Sequence, residues 1–328
     1  MKADEFLELT SQRFPSATCH TFPSDTKFKY IASNPVLSLD NKEIELEDFA
    51  LRQMCSVLGI PHSFASKDLD LMTLLMNWGI EKVAKHHDFM YVIVEPTPSN
   101  KTIRALKPRG NPFVSSETLA HRVLQSLGDP VDEVRDVRSD INQYGFSVCG
   151  TQKNITPKLG DTVYTGVRFE GSELGLVNPS IASYTYRLAC TNGMVHAHRE
   201  SMYRISSKDE TYIIDRVGEF VASARKHLVD DVGSQFKHAI ETPVPSAASF
   251  LHGVATDYGI SGESLSQILA HLPAEEDGTM YGVIQSITRA ANFPEFNTNQ
   301  RLNLQIIAGK ILDRVADARC QSCGKLVN

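Results

Sequence analysis

The chain has 328 residues, enough for one large domain or two ordinary ones. Apolar residues make up 41% and charged residues 22%, a globular composition that excludes extensive disorder. Lys and Arg total 33 against 39 Asp and Glu, a net charge of −6 that excludes a uniformly basic nucleic-acid binder.

Residues from Lys2 to Phe14 predict a short helix with Phe6 and Leu9 on one face. Strands are expected at Phe28–Ile31 and Val36–Leu39, with Asn34-Pro35 as the turn between them. Leu51, Met54, Cys55 and Leu58 follow the i, i+3, i+4, i+7 spacing of an amphipathic helix that Gly59-Ile60-Pro61 stops. A second helix, from about Lys67 to Lys85, carries the only tryptophan, Trp78. The period then changes. Phe89–Val94 and Lys101–Leu106 predict a hairpin, Ser116–Leu127 a helix, and Val131–Val137, Tyr144–Cys149, Thr162–Phe169 and Tyr184–Cys190 a run of strands. After Ser207 the chain is helical, with one long stretch at Tyr212–Ile240 and shorter helices at Ala247–Tyr258, Ser264–Leu272, Met280–Ala291 and Asn299–Ala318.

Few helices interrupt the strands, which argues against a doubly wound parallel sheet. The expected class is α+β: a mixed or antiparallel central sheet with N-terminal helices and a C-terminal helical layer. Thr242–Ser246 is the best boundary, dividing an α+β domain of residues 1–242 from a helical subdomain of residues 243–328 that ends in a Cys-x-x-Cys tail. No apolar run reaches the roughly 18–20 residues that span a bilayer. The acidic start from Met1 to Phe6 lacks the apolar stretch of a secretory leader. A cytoplasmic protein without a membrane partner is expected.

Absent motifs remove several chemistries. There is no Gly-rich phosphate loop, no dinucleotide fingerprint, no nucleophile elbow and no His-Glu-x-x-His zinc helix. Three features remain. Cys320 and Cys323, three apart around a turn, form half of a tetrahedral zinc site, and Cys190, His196 and His198 are the nearest candidates for the other half. The competing reading is a tail that binds nothing. The second feature is the segment from Tyr184 to Arg204, where Tyr186, Arg187, Asn192, Arg199, Tyr203 and Arg204 mix planar rings with cations as a surface for stacked bases and phosphates would. Asn192-Gly193 is a turn dipeptide, expected to bring Arg187 and Arg199 near one tight turn. A half-buried strand reads equally well there, because tyrosine is an ordinary strand former. The third is Lys101, Arg104, Lys107 and Arg109, four cations with no acid between Glu95 and Glu117. They suit phosphates, or simply protect a sheet edge from mispairing. From Lys101 to Lys208 there are 14 basic and 10 acidic residues, so the middle is net basic although the chain is not.

Several blocks resemble an uncharacterised phage- and plasmid-borne family, domain of unknown function 932. They are Phe49–Pro61, Ile103–Leu106, the R-L-A-C-T-N-G run from Arg187 to Gly193, and Ile287–Asn292 with the helix that follows. Where many members read serine-aspartate-arginine-tyrosine after the hairpin arginine, this chain has Lys107-Pro108-Arg109-Gly110. The resemblance implies a mobile-element protein in a bacterial cytoplasm and implies no reaction. Together these readings lead to an expectation of a non-enzymatic phage or plasmid protein that binds single-stranded DNA in recombination or replication, as a homo-oligomer. The alternatives are a factor that docks on a host defence protein, and a metal-dependent enzyme using Asn192, His196 and His198, with zinc as the candidate cofactor.

Overall fold

The computed structural model describes residues 1–12, 18–21, 25–84, 89–97, 100–108, 110–128, 130–140, 143–158, 161–187, 192–196, 202–228, 232–275 and 277–317. In chain order, helix α1 (Ala3–Ser11) precedes strands β1 (Thr18–Thr21), β2 (Lys27–Ile31), β3 (Asn34–Leu39) and β4 (Lys42–Leu46). Helices α2 (Asp48–Leu58) and α3 (Leu69–Gly79) follow, the latter prolonged by a π turn at Ile80–Ala84. Strands β5 (Phe89–Thr97) and β6 (Asn100–Pro108) pair as a hairpin and lead to α4 (Ser116–Leu127). Strands β7 (Val131–Ser139), β8 (Tyr144–Lys158), β9 (Asp161–Gly171), β10 (Ser180–Arg187), β11 (Asn192–His196) and β12 (Met202–Arg204) come next. Helices α5 (Glu210–His227), α6 (Gly233–Glu241), α7 (Ala247–Tyr258), α8 (Gly262–Glu275), α9 (Met280–Ala290) and α10 (Thr298–Asp317) close the described chain. No helix among the described residues is long and apolar enough to cross a membrane.

The class is α+β, but the strands form two six-stranded sheets where one central sheet was expected. The first has the order β1-β5-β6-β4-β3-β2 and is mixed, because β4 and β6 run parallel through Glu45 opposite Thr102 and Leu46 opposite Ile103. The second, β11-β10-β9-β8-β7 with β12 also on β10, is antiparallel throughout. Two tight turns in the first sheet use positive-φ residues without glycine: Ala32-Ser33 and Asp40-Asn41. The β2–β3 turn thus precedes Asn34-Pro35, which instead opens β3. The single long helix expected after Tyr212 is two, α5 and α6.

Each sheet is covered according to its alternation. Phe28, Leu37, Ile44 and Leu46 of the first sheet pack on Leu51, Met54 and Leu58 of α2 and Met72 and Met76 of α3. In the second sheet, Phe146, Val148, Val167, Phe169 and Ile181 face α1, α4 and α5 through Phe6, Leu119, Val123, Val217 and Val221. The opposite face, carrying Cys149, Tyr184, Tyr186 and Val195, meets Leu302 and Ile306 of α10. β10 is therefore buried along six consecutive residues, and a fully buried side chain of this kind stabilises by about 1.5–3 kcal/mol. The C-terminal helices share one core from Leu228 to Val315 that also takes in Val163 and Met194 of the second sheet. Asp68, Ser115, Asp209 and Thr279 accept backbone N–H bonds in the first turns of α3, α4, α5 and α9, about 1 kcal/mol each.

Candidate functional site

At the end of β10, Arg187 meets the helical layer. Its Nε donates to Asp161 Oδ1 at 2.7 Å, and one terminal nitrogen donates to Glu275 Oε2 at 2.9 Å. Tyr281 donates its hydroxyl to the other oxygen of Asp161, Arg289 donates to Glu275 Oε1 at 2.8 Å, and Lys158 pairs with Asp277. Arg187, Asp161 and Glu275 are only 15%, 8% and 6% exposed, so this arginine holds β9 and β10 to α8 instead of facing solvent. Burial works against its charge, but the bonds to Asp161 and Glu275 outweigh that and raise its pKa. Burial, followed by the bond to Asp161, pushes the Tyr281 phenol well above its ordinary value.

Tyr186 is likewise internal, 4% exposed, with the Arg135 guanidinium 3.9 Å from its ring centroid. Beside it β7 is irregular: Asp136 has φ +48°, and the pairing with β8 shifts between Arg135 and Arg138. The bulge aims the Asp136 carboxylate at Tyr184, whose hydroxyl donates at 3.3 Å, and at Gln305 of α10, whose Nε2 donates at 3.2 Å. Burial first, and the Asp136 charge second, raise the Tyr184 pKa well above normal. The recess lined by Arg135, Cys149, Tyr164, Tyr184 and Tyr186 holds about 10 Å³, room for at most one water. Asn192-Gly193 is not the turn but the opening of β11, with Asn192 opposite Arg187 and Gly193 opposite Tyr186. Glycine is required there because a Cβ would lie 2.1 Å from the Tyr184 hydroxyl.

The roomier cavity lies elsewhere. About 320 Å³ opens between the loop entering α4, the loop after β9 and the approach to α5. Its wall carries Asn111, Ser172, Asn178, Ser206 and Ser207 as hydrogen-bonding groups and Val114, Leu119 and Ile213 as apolar ones. Among the described residues, Lys208 is the one charged residue of the wall. The loops are tied together behind the wall. Lys107, 4% exposed, donates to the Asn111 carbonyl, and Asn111 Nδ2 donates to the Gly175 carbonyl at 3.0 Å. The Ser116 N–H donates to buried Glu173 at 2.6 Å, and the Phe113 N–H to Glu210 at 3.1 Å. A wall held this way needs little reordering when a ligand enters.

The remaining predicted residues are dispersed. Lys101 is exposed on β6, and Arg104 lies half-buried with its Nε 3.9 Å from Glu47. Tyr203 stacks on Phe220 at 4.7 Å, and Arg204 is exposed on β12, four residues before Lys208. Arg109, Cys190, His198, Arg199, Cys320 and Cys323 lie outside the described residues, as do the side chains of Asn192 and His196. The proposed zinc ligands therefore fall there, and the described residues themselves contain no group of three His, Cys, Asp or Glu that could hold a metal ion. The basic middle is spent internally to a large extent: Arg135, Arg138, Lys158, Arg168 and Arg187 all pair with carboxylates. The Asn111, Ser206 and Lys208 convergence carries no motif, although Lys107, Arg109, Tyr203 and Arg204 among the predicted residues flank it in sequence.

Comparison with known proteins adds no relative: no family model, no curated protein and no solved structure matches the chain.

Proposed function

We propose that the chain binds single-stranded nucleic acid without catalysing a reaction on it, acts as a homo-oligomer, and takes one nucleotide into the cavity beside Lys208. The observation that carries the reading is the make-up of that cavity, where the described residues set one cation, Lys208, on a wall of neutral hydroxyls, carboxamides and apolar side chains. A phosphate would meet the Lys208 ammonium. The Ser172, Ser206 and Ser207 hydroxyls and the Asn111 and Asn178 carboxamides would partner sugar and base edges, and Val114, Leu119 and Ile213 would lie against the base. The volume is at the lower end of ligand sites, which suits one small group rather than a large cofactor. Exposed Arg204 offers a neighbouring phosphate contact on the same stretch of chain.

Anisotropy of labelled single- and double-stranded oligonucleotides at low and near-physiological salt tests the reading. The expected result is single-strand preference, with affinity that falls as salt rises in proportion to the phosphates neutralised. No binding at low salt would overturn it.

A further inference from the structure

Helix α3 has two apolar faces and buries only one. Met72 and Met76 are fully buried against the first sheet, whereas Leu71, Leu74 and Trp78 on the opposite side are 38%, 67% and 57% exposed. With Leu69 in the first turn, four of the nine exposed large hydrophobic residues among those described lie on these eleven residues. A surface helix ordinarily turns its polar face outward, and a concentration of this kind marks an interaction surface. The helix cannot roll to hide it. The Asn77 carboxamide accepts from the Phe28 N–H and donates to the Phe28 carbonyl, both at 2.8 Å, completing the edge of β2 and fixing the orientation of α3. Ile31, at the end of the same strand, is 41% exposed.

The charges around this patch select its occupant. At its N-terminal end Lys67 lies exposed beside two acids, Asp70 and the helix cap Asp68, and at its C-terminal end Glu81 and Lys82 lie exposed. Each end thus carries both signs, and neither is strongly charged overall. A second copy of the same surface finds an acid for each base whether the helices run parallel or antiparallel, while a strongly charged partner gains nothing. We propose that α3 is the surface through which two copies of this chain pair, with Leu74 and Trp78 of one protomer packed on the α3 of its partner. The assignment deepens the self-association in the functional reading above and is independent of the cavity.

Trp78 is the only tryptophan, so its emission reports this surface alone. Light scattering and tryptophan emission should be followed together over a dilution series. The expected result is a dimer mass at high concentration and a shift of emission to the red in step with dissociation. Leu74→Glu should be monomeric with red-shifted emission at every concentration and an unchanged circular dichroism spectrum. A monomer at the highest attainable concentration would overturn the assignment. So would a dimer that persists in Leu74→Glu, or a dimer lost in Lys208→Glu. Oligonucleotide binding by a monomeric wild-type chain would remove this surface while leaving the cavity reading intact.

Discussion

Arg187 and Glu275 stand 88 residues apart in sequence and 2.9 Å apart in space, and their side chains are largely covered where the second sheet meets α8. Their contact, shared with Asp161 and Arg289, makes the residue most suggestive of phosphate binding a structural bolt. Arg187→Ala leaves buried Asp161 without its cation and Glu275 still paired with Arg289, and should cost about 3–5 kcal/mol, the usual range for breaking a buried pair. Chemical denaturation with a double-mutant cycle to Glu275→Gln checks this, with a coupling above about 1 kcal/mol expected. A wild-type midpoint would contradict it.

Gly193 and Tyr184 lie too close for any other residue at the first position. Gly193→Ala places a Cβ where the Tyr184 hydroxyl now sits, and overpacking of that kind costs about 1–3 kcal/mol. Tyr184→Phe in the same chain should recover part of the loss by removing the colliding oxygen. Thermal melts of the single and double variants decide the point, since no recovery would place the strain elsewhere.

Asp277 titrates below its ordinary value. Burial would raise its pKa, but hydrogen bonds from Lys158 and Thr279 more than offset that. A carboxylate depressed in the folded state contributes stability above its unfolded pKa, near 3.8, and loses it as pH falls through the lower folded value. Asp277→Asn should therefore reduce stability at neutral pH and flatten the acid limb of a stability–pH profile. An unchanged acid limb would mean that the Lys158 contact carries no weight.

Much of the fold was legible because its signals are local. α4 spans the predicted Ser116–Leu127 with Ser115 as its cap, and α2 stops where Gly59 takes the left-handed conformation. Ala32-Ser33 was not legible as a turn, because neither residue favours the positive φ that both adopt. The site was harder. Tyr186 and Arg187 have the composition of an exposed binding strand, and nothing within that segment tells that α10 and α8 will cover it more than 80 residues later. The cavity has no motif because its wall comes from three loops whose nearest approach is a tertiary event.

The affinity of a labelled single-stranded oligonucleotide at low salt, compared among wild type, Lys208→Glu and Lys101→Glu, tests the cavity most directly. Both substitutions change the net charge equally, but only Lys208 lines the cavity while Lys101 is exposed at the far end of β6. A charge-assisted contact of about 1.5–3 kcal/mol corresponds to a loss of roughly tenfold or more. That loss is predicted for Lys208→Glu, with a smaller one for Lys101→Glu. Equal losses, or full affinity in Lys208→Glu, would contradict the cavity as the binding site.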